Sequence, residues 1–198
     1  MAMLAASAAI IWMALTWLVG ESGVLREFER NPSPLMQLLI AVIILSVFIA
    51  FSHLGRLMAM VIPLYALIGI QAFRLPLAIC MHTLYERGIM LSDMTYSGRN
   101  FDIVTGVTAI VVALLVATNV GGRKLVWAWN AAGLGLLLHV VVLAVFQIPD
   151  IAFFNDGQLN IWVTDPPFVW LPAVMVLAAL AGHLIIFRAL IMPAKKDG

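Results

Sequence analysis

The sequence predicts an all-α fold: a polytopic transmembrane bundle of six helices, with both termini cytoplasmic and a single domain over residues 1–198. Three observations predict it. Of the 198 residues, 64% are hydrophobic. Only 11% are charged, against about 25% in a soluble domain. Mean hydropathy is +1.07. A soluble fold of this length has too little interior to hide that much apolar surface. The formal net charge of +1 leaves no electrostatic footprint for nucleic acid. One cysteine excludes an internal disulfide framework and a Cys-rich metal centre.

A helix needs about 20 apolar residues to cross a hydrocarbon core of about 30 Å. Six runs approach that length. The first is Ala2 to Val19. It has no Lys or Arg ahead of it and no clear small-residue cleavage site by Glu21, so it reads as a helix and not as a signal peptide. The second is Leu35 to Ser52, with Pro34 at its first position and Ser33 free to cap it. The third starts near Leu57 and stays apolar to about Met81, with Gln71 and Arg74 embedded in it. The fourth is Ile103 to Thr118, closed by Gly121-Gly122. The fifth is Leu125 to Phe146. The sixth is Phe168 to Met192, preceded by Pro166-Pro167. Trp17, Trp127, Trp129, Trp162 and Trp170 fall near run ends, as an interfacial belt requires. Ala109, Ala113 and Ala117, then Ala131 and Gly135, then Ala178 and Gly182, form small-residue stripes that let helix backbones approach.

Orientation follows from the basic residues between runs. Arg56, Arg123, Lys124, Lys195 and Lys196 lie in even-numbered loops or at the C-terminus, while residues 147–167 contain no Lys or Arg. This predicts cytoplasmic termini, with Arg26, Arg30, Arg87 and Arg99 on the opposite side. On the same arrangement the acids concentrate toward the outer face.

The third run carries the unusual chemistry. An arginine at mid-helix costs about 2.5–3.5 kcal/mol on insertion scales. At 100° per residue, Gln71, Arg74, Ala78, His82, Tyr85 and Glu86 share an arc of roughly 120°. Pro63 and Pro76 interrupt this run, and Pro76 frees the carbonyl near residue 72. A kink beside an arginine can open a polar pocket; Arg74 can also snorkel to the interface. The segment Gly98-Arg99-Asn100-Phe101-Asp102 leads into the fourth run. Asp102 or Asn100 is a ready N-cap, and Asp102 is also placed to pair with Arg74 or Arg99. Helix-start amides favour anions. Gln71, Arg74, Arg99, Asn100 and Asp102 are therefore the candidate ligand-binding residues, with His82 and Glu86 as the candidate proton-handling pair. Asp150, Asn155, Asp156 and Asp165 are possible further walls. Phe153, Phe154, Ile161 and Trp162 predict that their loop lies on the membrane.

His53, His82, His139 and His183 all fall in or beside runs, two toward each face. Two bis-histidine haems fit that count, but the ligands do not recur at a common spacing, so packed or hydrogen-bonded helix histidines are the default reading. No metal site is expected otherwise. No lysine lies within a span, and there is no phosphate loop, zinc helix or nucleophile elbow. Cys80 reads as packing. Helix breaks cluster in the third run alone, which counts against a transporter built on paired discontinuous helices.

The run Gln71-Ala72-Phe73-Arg74-Leu75-Pro76, then His82, then Met94-Thr95-Tyr96-Ser97-Gly98-Arg99-Asn100-Phe101-Asp102-Ile103, resembles a family of small, uncharacterised bacterial integral membrane proteins. Pro167-Phe168-Val169-Trp170-Leu171-Pro172 followed by His183 is similar to that family's final helix. The resemblance spans about residues 35–190. It implies a multi-pass, single-domain helical protein of the bacterial cytoplasmic (inner) membrane, and no activity. The family pattern has an acid two residues after the proline; this chain has Ala78 there, so no role for that acid carries over.

Three functions follow as expectations. The first is a pocket toward the non-cytoplasmic face that binds an anionic or lipid-like ligand. The second is a subunit or assembly factor docking other membrane subunits through the small-residue stripes. The third is a haem-carrying electron-transfer protein. Membrane lipids are expected partners in each.

Overall fold

The computed structural model describes residues 2–149, 151 and 161–192. The described residues form helices and connecting turns, with no strand among them. Five helices are long and apolar enough to cross a membrane: Met3–Glu21, Pro34–Phe51, Leu64–Glu86, Arg123–Phe146 and Leu171–Ile191. The remaining expected span, the fourth, appears as Asp102–Ala117 and is shorter at 16 residues. The architecture is that of a helical membrane protein.

Helix α1 (Ala2–Glu21) is apolar on every side and mostly exposed, which suits a rod surrounded by lipid. Helix α2 (Pro34–Phe51) starts as its sequence requires. Pro34 occupies the first turn and the Ser33 hydroxyl accepts from the Met36 amide at 3.4 Å. Helix α3 (His53–Val61) follows after one residue. Ser52 caps it by accepting from the Gly55 amide at 3.2 Å. Gly55 is required there, because a Cβ would stand 2.3 Å from the Ala50 carbonyl oxygen.

The third run is interrupted at Pro63, as its sequence predicts, and the correction is to its start, which lies later than Leu57. Ile62 is extended (φ −78°, ψ 128°) ahead of Pro63. Proline's ring excludes the helical conformation from its predecessor and removes an amide from the ladder. The membrane-length segment therefore starts at Leu64. It runs as α4 (Leu64–Ile70), a tight three-residue turn Gln71–Phe73, and α5 (Arg74–Glu86). The turn lies just ahead of Pro76, which has no amide to give the Ala72 carbonyl its regular helical bond; the Arg74 amide reaches that carbonyl instead. The expected break is thus present, expressed as local tightening.

Helix α6 (Asp102–Ala117) packs on α4, α5 and helix α7 (Arg123–Phe146), and α7 packs in turn on the final span. That span opens with a wide helical turn, Leu171–Val176, and continues as α8 (Leu177–Ile191). Two indoles hold α1 to the wide turn. Trp12 Nε1 donates to the Ala173 carbonyl at 2.9 Å, and Trp170 Nε1 donates to the Met13 carbonyl at 3.1 Å. Trp17 packs on Trp170, their centroids 5.1 Å apart.

The two ends of the bundle differ. At one end the segments between α1 and α2, α5 and α6, and α7 and α8 converge: Arg26 pairs with Asp165, Gln147 Nε2 donates to Asp93 at 3.1 Å, and Leu35 packs on Ile148 and Val163. At the other end arginines close helix C-termini. Arg188 Nη1 donates to the Ala50 and Ser52 carbonyls at 2.7 and 2.9 Å, and Arg123 donates to the carbonyls of Leu190 and Met192. Cations complement the negative ends of helix dipoles. Among the expected belt residues Trp129 is an exception. It is buried, donating to Thr108 Oγ1 at 2.9 Å and packing on His183.

Candidate functional site

The α4–α5 turn brings the polar residues of the third run into the interior. Gly106 makes this possible: a Cβ on it would lie 2.5 Å from the Leu75 amide nitrogen, so α6 lies directly on the first turn of α5. Asp102, one helical turn earlier, then reaches Arg74. Arg74 Nη1 donates to Asp102 Oδ1 at 2.8 Å, with the arginine side chain 1% exposed and the aspartate 15%. Arg74 does not snorkel to water. The expected pair forms, inside the bundle. Arg74 Nε and Nη2 have no hydrogen-bond partner among the described residues. On a guanidinium these two nitrogens form one side, the fork that matches a carboxylate or phosphate.

Gln71 is fully buried. Its Nε2 donates to the Ala179 carbonyl at 3.3 Å, while Oε1 has no partner. Gly182 gives it room, since a Cβ there would fall 2.2 Å from Gln71 Nε2. Of the small-residue stripes, this contact is close and Gly135 is open.

Asn100 takes the capping role that the sequence offered to it or to Asp102. Its Oδ1 accepts from the Asp102 amide at 3.0 Å, and its Nδ2 donates to the Met94 carbonyl at 2.9 Å. One side chain thereby fixes both the helix start and the turn at Ser92–Met94.

A second buried polar group escaped the sequence reading. His183, expected only as a haem ligand or packing residue, is fully buried beside Asn130. Asn130 Nδ2 donates to the His183 carbonyl at 3.0 Å, and Asn130 Oδ1 lies 2.7 Å from His183 Nδ1. The first bond fixes the amide's orientation, so Nδ1 carries the proton and donates to Asn130. Nε2 then bears a lone pair and has no partner; Thr105 Oγ1 is likewise unpartnered. An asparagine inside an apolar run was the available signal, because a neutral amide also needs a partner in hydrocarbon.

Arg74, Asn100 and Asp102 form the polar end of a cavity of about 100 Å³. Its other walls are apolar. Phe73, Leu77 and Met81 come from the α5 side, and Leu137, Val141 and Ala144 from α7. Leu171, Pro172 and Met175 come from the wide turn at the head of the last span. Such turns recur where a helix must make room for function.

The other candidates lie outside this cavity. Arg99 is 55% exposed and its Nε is 3.6 Å from Asp93 Oδ1. His82 and Glu86 do come together, Nε2 to Oε1 at 3.6 Å, with Ser97 Oγ 3.3 Å from His82 Nδ1 and the Tyr96 ring at 4.4 Å. That cluster sits at the loop end of α5, where Glu86 is 63% exposed. His139 Nε2 is held by the Arg99 carbonyl at 3.1 Å, and its ring lies against Phe101. His53 opens α3. Asp165 pairs with Arg26. Asp150, Phe153, Phe154, Asn155, Asp156, Lys195 and Lys196 lie outside the described residues. Among the described residues no three His, Cys, Asp or Glu side chains gather as a metal site.

Comparison with known proteins finds no matching family model, no matching curated protein and no matching solved structure.

Proposed function

We propose that this chain is a multi-pass bacterial inner-membrane protein that holds a lipid-like, anionic amphiphile in the cavity beside Arg74. One observation carries the reading. A buried guanidinium at the polar end of an apolar cavity keeps its Nε/Nη2 fork unused while Asp102 holds the third nitrogen. Burial makes an unsatisfied charged donor expensive. An acceptor-rich headgroup relieves that cost, and the apolar walls suit the first few methylenes of its chain, the rest lying outside a cavity of about 100 Å³. Asp102 orients the arginine.

The cavity opens toward the non-cytoplasmic face, with both termini cytoplasmic. Support comes from the basic end of the bundle, where Arg123 and Arg188 close helix termini near Arg56 and Lys124. The resemblance to small bacterial integral membrane proteins gains physical sense. Its two central motifs, around Gln71–Pro76 and Met94–Ile103, supply the two halves of the ion pair.

Thermal unfolding of the detergent-purified protein tests the reading. Oleate is expected to raise Tm, while uncharged monoolein and inorganic phosphate are not. Arg74→Gln should lose the oleate response, and so should Val141→Phe, which narrows the cavity and leaves the charges in place. An oleate response that survives both substitutions, or no response to oleate, overturns it.

A further inference from the structure

We propose that the headgroup held beside Arg74 is a zwitterionic phosphodiester bearing a primary ammonium, and that Asp102 Oδ2 is the acceptor for that ammonium. The inference rests on the cavity reading above and narrows its ligand class. Arg74 and Asp102 both line the cavity, and among the described residues they are its only charged walls. Asp102 Oδ1 is taken by Arg74 Nη1 at 2.8 Å. Oδ2 receives no hydrogen bond from any described residue. It is not sealed in, since the aspartate side chain is 15% exposed against 1% for the arginine. An ionised carboxylate oxygen can only accept, so the cavity's polar end asks for a donor as well as an anion.

Charge then selects the ligand. The two side chains sum to zero, so a headgroup that is only an anion leaves the polar end net negative, with two anions around one cation. An uncompensated charge in a dry place is costly. An ammonium on the same headgroup returns the sum to zero and gives Oδ2 a charge-assisted donor. A fatty acid lacks that second group. A glycerol headgroup brings hydroxyl donors and no cation. A trimethylammonium brings the cation but no N–H, and its bulk is ill suited to a cavity of about 100 Å³. A carboxylate ends its chain, whereas a phosphodiester carries a chain on one ester arm and an ammonium on the other. The walls next to the pair, Phe73, Leu77 and Leu137, are apolar, so the headgroup arrives with its chain, from the bilayer.

Titrations of the detergent-purified full-length protein, followed by thermal unfolding, test this with oleoyl amphiphiles that differ only in headgroup. Oleoyl lysophosphatidylethanolamine should bind roughly tenfold or more tightly than oleoyl lysophosphatidylglycerol, oleoyl lysophosphatidylcholine or oleate. Asp102→Asn should change the order. Without the carboxylate, Arg74 and a simple anion already sum to zero, so oleate gains affinity and the ethanolamine lipid loses its lead. If Asp102→Asn does not fold, the ranking on the parent protein decides. Glycerophosphoethanolamine has the same headgroup and no chain, and should leave Tm unchanged; a shift equal to the lysolipid's would assign the site to a free solute and overturn the bilayer source. Equal affinities across the headgroups, or a lead that survives Asp102→Asn, overturn the inference. They leave the cavity reading standing, because that reading requires only that oleate raise Tm. No response to any of the amphiphiles overturns both.

Discussion

Arg74 shows how one side chain can be anchored and still incompletely satisfied. Asp102 takes Nη1, and Nε and Nη2 have no partner among the described residues. Breaking such a pair from one side is costlier than removing it, because the survivor keeps its charge in a dry place. Arg74→Leu or Asp102→Leu alone should therefore destabilise by about 3–5 kcal/mol, with the double substitution costing clearly less than the sum. Unfolding titrations in mixed micelles of increasing SDS fraction measure this; additive losses would show that the two groups do not interact. The pair itself was legible in the sequence. An arginine inside a span and an aspartate at the next helix start both demand partners. The His183–Asn130 bond was not, because each side chain announces the need for a partner but nothing in the sequence says that these two, in different runs, meet. Nor was the placement of Arg99 outside the cavity, since Asp93, its partner, is set by the turn at Ser92–Met94.

Helical elements were legible where composition alone decides them. The first, second, fifth and sixth runs reappear within a few residues of their expected ends. The third run reappears as Leu64–Glu86; its interruption at Pro63 was readable, but hydropathy alone placed the start near Leu57, because the proline acts on the backbone of Ile62. Glycine positions were readable only in part. Gly133 and Gly135 look alike in sequence, yet only Gly133 meets another helix. Gly133→Ala should lower thermal stability and Gly135→Ala should leave it nearly unchanged, which paired melts would reveal. The wide turn at Leu171–Val176 was illegible, since Pro172 near a helix start ordinarily signals regular helix. Its Ala173 carbonyl accepts from Trp12. Trp12→Phe removes that hydrogen bond and keeps most of the apolar contact. It should cost about 1 kcal/mol and leave α1 more susceptible to proteolysis after Arg26, as a timed digest in detergent would show.

The whole molecule is polarised along its long axis. Arginines on helix C-termini gather at one end, and the longer loops, with Asp93 and Asp165, gather at the other. This gives the proposed topology a direct check. In a Cys80→Ser background, Ser97→Cys should react with a membrane-impermeant maleimide on intact cells, and Lys124→Cys only after permeabilisation. The reverse pattern would invert the protein and place the cavity on the cytoplasmic side. The attachment of α1 has a further consequence for biogenesis. Its indole contacts join residues about 160 positions apart, so its docking site does not exist until the segment around Trp170–Ala173 has been made. Helix α1 must leave the translocon alone and drift as a solitary rod until α8 arrives. Its uniformly oily surface is what lets it wait.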